Sequence, residues 1–309
     1  RIAGGGCSPQ LPEGIEDNRL IRKCDLSEMS SRMPGSTKIE RVNSRPTVEI
    51  HLPEGEVLRG PRGAQVGDFL AALNGGPPSS TRYANGTPLS PPIVGAVVNG
   101  QLRELTYPIK IESQVRPITM GEPDGMRIYR RSLIFLLEAA FEELFTEGAI
   151  AVDHSVSSGG YFCQVSDRPP LSDDEIARLE ERMHEIVHED LPLSRSVVPL
   201  QEALDLFQSK GQHDKVQLLS FRRKNYVTLY ELRICVDYLH GYMVPSTSYL
   251  QWFALAPTEP GFTLRFPRRH KPTELLPLPD YSKLLDTFLQ YGSWLHHLGI
   301  SSAGALNDA

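Results

Sequence analysis

The chain has 309 residues, 40% of them hydrophobic and 23% charged, which is enough to bury a sizeable core, suits two domains and excludes a disordered tail. Thirty-two Lys and Arg against 38 Asp and Glu give a formal charge of −6, so a surface bound everywhere to nucleic-acid phosphates is excluded, whereas local basic patches are not. The four Cys (Cys7, Cys24, Cys163, Cys235) form no CxxC pair or disulfide framework and no apolar run reaches membrane-spanning length, which predicts a soluble protein in a reducing, cytoplasmic setting without a membrane partner.

Residues 1–45 mix Gly, Pro, Ser and alternating charge without a sustained period, which predicts a mobile arm. From Thr47 the pattern alternates, with Val48, Ile50 and Leu52 apolar. Pro53-Glu54-Gly55-Glu56 then turns the chain into a second strand at Val57, giving a hairpin. Val66, Phe69, Leu70 and Leu73 have helical spacing, and Asn74-Gly75-Gly76-Pro77-Pro78 stops that helix. A strand over residues 93–98 meets Asn99-Gly100, the preferred type I′ pair, and runs back over residues 102–107. Strand, strand, helix, strand, strand is the order of a small β-grasp sheet crossed by one helix.

Residues 126–145 read as a long helix with Leu133, Leu136, Leu137, Ala140, Phe141 and Leu144 along one side. Residues 149–165 contain two strand candidates, Ser172-Asp173-Asp174-Glu175 is a capping box opening a helix to about residue 190, and Pro199 begins another helix that ends at Lys210-Gly211. Aromatic and β-branched residues dominate 226–266, which predicts antiparallel strands, and a last helix spans roughly residues 281–298. The fold class is therefore α+β: a mobile arm (1–45), a β-grasp domain (46–120), an antiparallel-sheet domain with packed helices (121–275), and a terminal helix and linker (276–309).

His184-Glu185-Ile186-Val187-His188 matches HExxH, but the apolar stripe of its helix is Ile176, Leu179, Met183 and Ile186. Both His therefore fall on a water-facing flank, and no third ligand follows at a usable distance. The hydroxyl-rich stretch around His154, Ser155, Ser157 and Ser158 lacks a nucleophile elbow and reads as a turn. Two basic clusters interleave cations with aromatics, a combination that grips phosphates and stacks bases: Arg222, Arg223 and Lys224 before Tyr226 and Tyr230, and Arg265, Arg268 and Arg269 with Phe262 and Phe266. A solvated loop and a buried strand face are the simpler readings of either cluster alone.

The segments Thr47 to Leu52, Ala64 to Leu73 and Val94-Gly95-Ala96-Val97-Val98-Asn99-Gly100 resemble the TGS domain at the front of threonyl-tRNA synthetases. Ile128-Tyr129-Arg130-Arg131-Ser132, Arg182-Met183-His184-Glu185-Ile186-Val187 and Glu202-Ala203-Leu204-Asp205-Leu206-Phe207 resemble the editing domain that follows it, so the likeness covers roughly residues 46–250. Tyr238-Leu239-His240-Gly241-Tyr242-Met243-Val244-Pro245-Ser246-Thr247 and Pro260-Gly261-Phe262-Thr263-Leu264-Arg265-Phe266-Pro267 resemble bacterial uridine kinase-like nucleoside kinases, which carry both domains ahead of a P-loop kinase. No GxxxxGK followed by Ser or Thr occurs, and Gly35-Ser36-Thr37-Lys38 has the wrong order.

The resemblance implies a zinc site of HxxxH and CxxxH, whose positions here hold Arg131, Phe135, Leu239 and Met243. A rescue set of His154, Cys163, Cys235 and His240 fits no standard spacing. It implies an accessory nucleotide- or RNA-binding region, with structured RNA such as tRNA as partner. No cofactor or catalytic residue is expected in this chain, and ATP and Mg²⁺ would belong only to a kinase domain beyond Ala309. The ligand-binding candidates are Arg131, His154, Arg222, Arg223, Lys224, Tyr226, Asp237, His240, Tyr242, Arg265, Arg268 and Arg269. Arg131 either pairs with Asp237 or Glu138 or faces a cleft as a forked donor. An aminoacyl-tRNA editing hydrolase, with or without a metal, and a ligand-free regulatory or dimerising scaffold are the rivals. The oligomeric state stays open.

Overall fold

The computed structural model describes residues 43–74, 83–84, 87–88, 91–156, 159–277, 282–300 and 303–308. The expected mobile arm, the Gly35 to Lys38 segment, the helix stop at Gly75 to Pro78 and the Ser157-Ser158 pair lie outside the described residues or almost wholly so. Residues 45–309 make one compact unit.

The alternation of Val48 and Ile50 buries one face of β1 (Thr47–His51), which pairs antiparallel with β2 (Val57–Pro61). Helix α1 (Val66–Asn74) buries Val66, Phe69 and Leu70, and the Phe69 ring lies over Gly60, where a Cβ would be only 2.6 Å from it. A two-residue pair, β3 (Tyr83–Ala84) and β4 (Thr87–Pro88), precedes β5 (Ile93–Val98) and β6 (Gln101–Arg103). Asn99 (φ 49°) and Gly100 (φ 79°) both take the left-handed conformation that a type I′ turn requires.

The return strand is shorter than the sequence suggests, and the strand that completes the sheet is β7 (Ser113–Thr119). It runs parallel to β1 and antiparallel to β5, giving the order β2-β1-β7-β5-β6. Its alternation is interrupted by Pro117, a residue that argues against a central strand.

Helix α2 (Pro123–Leu144) is the spine of the molecule and is buried on more than one side, Ile128, Phe135 and Ala139 included as well as Leu133, Leu136 and Ala140. Its Ile128 methyl packs on Gly95 of β5, where a Cβ would come within 2.9 Å. Next come β8 (Ala149–Val156), β9 (Gly160–Ser166) and α3 (Asp173–His188). Ser172 Oγ accepts from the Glu175 amide while the Glu175 carboxylate accepts from the Ser172 amide, so the capping box is complete. Ser172→Ala is expected to cost about 1 kcal/mol, read as a lower urea midpoint at unchanged slope.

Strand β10 (Ser194–Pro199), α4 (Leu200–Ser209), α5 (His213–Ser220), β11 (Tyr226–Leu232) and β12 (Cys235–Tyr238) form a three-stranded antiparallel sheet with two helices. They share a small core of Ala203, Phe207, Leu219, Val227 and Leu229. A single helical turn at Thr247–Tyr249 leads to β13 (Ala254–Thr258) and β14 (Gly261–Arg265), which join β9 and β8 in the order β13-β14-β9-β8. The expected run of strands over 226–266 is thus split between two sheets. Helix α6 (Ser282–His297) lays Leu285 against Val156 and Phe162, and α7 (Ala303–Asp308) lies against α5.

Candidate nucleic-acid interface

The segment 239–247 lies along α2 because Ser132, a buried polar residue in an otherwise apolar helix face, accepts from the Val244 amide at 3.0 Å and donates to the Ile128 carbonyl at 2.9 Å. One residue earlier on α2, half-buried Arg131 donates through Nη1 to the Tyr242 carbonyl at 2.7 Å. Its guanidinium rests directly on Gly241 (φ 115°), where a Cβ would sit 2.6 Å from Arg131 Cζ. Burial lowers the pKa of Arg131, with Tyr230 and Tyr161 acting in the opposite direction, but a guanidinium stays charged. Among the described residues no carboxylate lies within 4.0 Å of it.

Two further arginines surround the same segment. Arg103 donates to Tyr242 Oη at 3.0 Å, the main influence raising its pKa, and lies over the Tyr107 ring. Arg195 stands over the Tyr242 ring at 5.9 Å, with Nε 3.8 Å from Glu104 Oε1. The Tyr230 hydroxyl lies 3.0 Å from Glu104 Oε2 and 3.1 Å from the Gly241 carbonyl, and burial raises its pKa. Three guanidiniums and the partly exposed rings of Tyr107 and Tyr242 therefore gather around residues 241–242, Tyr230 being buried beneath them, with Glu104 as the one carboxylate among the described residues. Such a cluster offers forked donors and ring faces to a polyanion.

The four positions implied as zinc ligands are packed differently. Phe135 and Met243 are buried in the main core, Leu239 packs against that core, and Arg131 makes the contacts just described. Among the described residues the set of three ligand-type atoms within 4.8 Å of one another is Glu49, His51 and Glu112, far along the chain from these positions, and Glu49 is already held by Arg59. His154, Cys163, Cys235 and His240 do not converge. His154 is stacked on Phe288 and lies tilted against Phe162, with neither ring nitrogen hydrogen-bonded and Nδ1 3.4 Å from the Asp153 carboxylate, Cys163 and Cys235 are buried, and His240 is exposed. On α3, His184 and His188 are exposed, and His184 stacks on Phe253 and faces Glu180 at 3.8 Å.

Asp237 is not the partner of Arg131. It is buried and pairs with Lys215 Nζ at 2.8 Å, next to Glu138 of α2, whose carboxyl is pushed up to about 8 by burial and then by Asp237. The Arg222 cluster is largely spent within its own loop. Arg222 donates to the Tyr226 carbonyl at 2.8 Å and to Tyr238 Oη at 3.1 Å, Lys224 lies over the exposed Tyr226 ring, and Arg223 is exposed.

In the third cluster Arg265 is tied to the Leu276 carbonyl at 2.5 Å, and Phe262 is a core residue unable to stack on a base. Arg268 and Arg269 line a cavity of about 690 Å³ with Arg127 and Arg130. Arg103, Arg127, Arg130 and Arg195 were not singled out from sequence. The spacing of Arg127, Arg130 and Arg131 at i, i+3 and i+4 on one helix was the available signal.

No protein-family model matches the chain. Curated relatives do, and they are threonine–tRNA ligases. That of Polaromonas sp. (strain JS666) is 29% identical over 209 residues, covering 67% of this chain and 31% of the relative. That of Polynucleobacter necessarius is 32% identical over 207 residues, covering 67% and 30%, and that of Syntrophotalea carbinolica is 27% identical over 209 residues, covering 67% and 31%. The chain spans about a third of the length of these relatives. Their identity overturns the expectation of an accessory region of a uridine kinase-like nucleoside kinase. The homologues of this chain are threonyl-tRNA synthetases.

Proposed function

We propose that this chain is a tRNA-binding module related to the front part of threonyl-tRNA synthetases, with residues 46–120 as a TGS β-grasp domain and residues 121–275 as an editing-like domain that holds RNA without hydrolysing an aminoacyl ester on it. The curated relatives act on tRNA, and the sheet order β2-β1-β7-β5-β6 crossed by α1 supports a β-grasp. The observation that carries the reading is Arg131, a half-buried guanidinium without a carboxylate partner among the described residues, placed among Arg103, Arg195 and Tyr242 where the resemblance puts a metal ligand. A fixed positive charge in a partly desolvated site favours a phosphate or the 3′ end of an RNA over a neutral ligand. The chain brings no cofactor of its own in this reading.

Arg131→Leu is expected to weaken binding of a tRNA acceptor minihelix by about 1–3 kcal/mol with little change in melting temperature. Unchanged binding together with a large drop in melting temperature would make Arg131 a purely structural residue. Release of the amino acid from a mischarged tRNA by the wild-type chain would instead make it an editing hydrolase.

A further inference from the structure

A second basic feature lies at the first turns of α2, one turn before Arg131. Arg127 and Arg130 of α2, and Arg268 and Arg269 of the segment after β14, line one cavity of about 690 Å³, a size within the range of small-molecule sites. Val156, Gly159 and Gly160, at the adjoining ends of β8 and β9, close its far wall. Gly159 (φ 100°) passes so close to the segment after β14 that a Cβ there would meet the Phe266 carbonyl at 2.8 Å and Arg268 Cγ at 3.2 Å, so the backbone holds Arg268 in place.

The charges in this cavity are poorly balanced. Arg127 is paired with Asp124 at 2.7 Å. Glu122, at the start of α2, is committed to Arg116 and to the Thr119 amide. Lys271 is taken up by Glu274. Among the described residues no carboxylate lies within 4.0 Å of Arg130, Arg268 or Arg269, although Arg130 and Arg268 are half-buried. Arg130 lies over the Phe266 ring at 5.5 Å and donates through Nε to the Met126 carbonyl at 3.3 Å, so its two Nη groups are the fork it can offer, and Met126, Val156 and Pro267 give the cavity an apolar side.

We propose that this cavity binds the phosphate of a phosphorylated nucleoside, with Arg130 and Arg268 as forked donors and the Met126–Phe266 side against the sugar or base. Partly desolvated guanidiniums without a carboxylate partner among the described residues, in a concave site, favour an anion of at least single charge, and a planar fork suits the tetrahedral oxygens of a phosphate ester. The nucleotide is either free or a residue of an RNA strand. Only the second source rests on the function proposed above.

The test is a titration of the ¹⁵N-labelled chain with a nucleoside 5′-monophosphate and with the same nucleoside unphosphorylated. It is paired with affinity measurements on Arg130→Gln/Arg268→Gln. Saturable shifts of the Gly121, Gly159 and Gly160 amides with the monophosphate alone are expected, together with at least about a ten-fold affinity loss in the double variant. Absence of those shifts up to millimolar ligand, or equal shifts with the nucleoside, would overturn the proposal. If the double variant is unfolded by circular dichroism, Arg130→Lys/Arg268→Lys takes its place and should also bind more weakly, because it keeps the charge and loses the fork. Minihelix binding separates the two claims. Amide shifts with the monophosphate but no RNA binding would keep the cavity and remove the RNA source, whereas RNA binding sensitive to Arg131→Leu without any monophosphate shifts would remove the cavity and keep the proposed function.

Discussion

Phe135→Ala is expected to destabilise the chain by about 3–5 kcal/mol, seen as a lower urea midpoint, whereas Phe135→Met should cost less than about 1.5 kcal/mol. Phe135 is fully buried in α2, in the same core as Leu133, Leu136 and Met243, so truncation to Ala leaves a void that a helix held on several sides cannot close. The position matters because the resemblance places a metal ligand there. In this chain its work is packing, and Met243, at another of the implied ligand positions, is buried in the same core. A loss below about 1 kcal/mol would show that the site collapses readily and that the apolar filling is not structural.

The second large effect is on the pH dependence of stability. Glu138 faces Asp237, with Lys215, Glu142 and the two buried thiols nearby. Burial first, and the Asp237 carboxylate second, raise its carboxyl from an ordinary 4.5 to about 8 against the opposing pull of Lys215. Between those values the folded chain holds a proton that the unfolded chain releases. The contribution of Glu138 is thus fully present below pH 4.5 and is lost as the pH rises through about 8.

Melting temperature should accordingly fall between about pH 5 and pH 9, on the order of a few kcal/mol when expressed as free energy. Glu138→Gln should flatten that limb, because a neutral amide donates to Asp237 at every pH. Stability that rises over the same interval, or an unchanged slope in the variant, would show that Glu138 is ionised in the folded chain.

Local signals carried most of the sequence reading. Asn99-Gly100 fixes a hairpin by its two positive φ angles, and Ser172 with Glu175 fixes a helix start, because in each case the decisive interactions span only a few residues. Strand β7 was illegible for two reasons: Pro117 interrupts its pattern, and its pairing with β1 joins residues more than sixty positions apart, which no local pattern reports. The same is true of the split between the two antiparallel sheets, since nothing in the strands over 226–266 says that β11 and β12 pair with β10 while β14 pairs with β9.

At the site, Arg131 and Tyr242 came through resemblance rather than pattern. Arg103 and Arg195 could not be found at all, because they reach Tyr242 from elements far away in sequence. Asp237, one of the two pairing candidates for Arg131, pairs with another cation. Its partner Lys215 sits on α5, a short helix whose apolar residues are too few to announce it.

The central claim, that this chain holds RNA through its arginine clusters, is tested most directly by titrating it into a labelled tRNA acceptor minihelix over a range of salt concentrations. Three phosphate contacts, one for each of Arg103, Arg131 and Arg195, predict that log Kobs falls linearly with log salt with a slope of about −2 to −3. Saturable binding with that slope, and without release of an esterified amino acid, is the predicted result. No saturable binding at low salt, or binding indifferent to salt, would contradict the account.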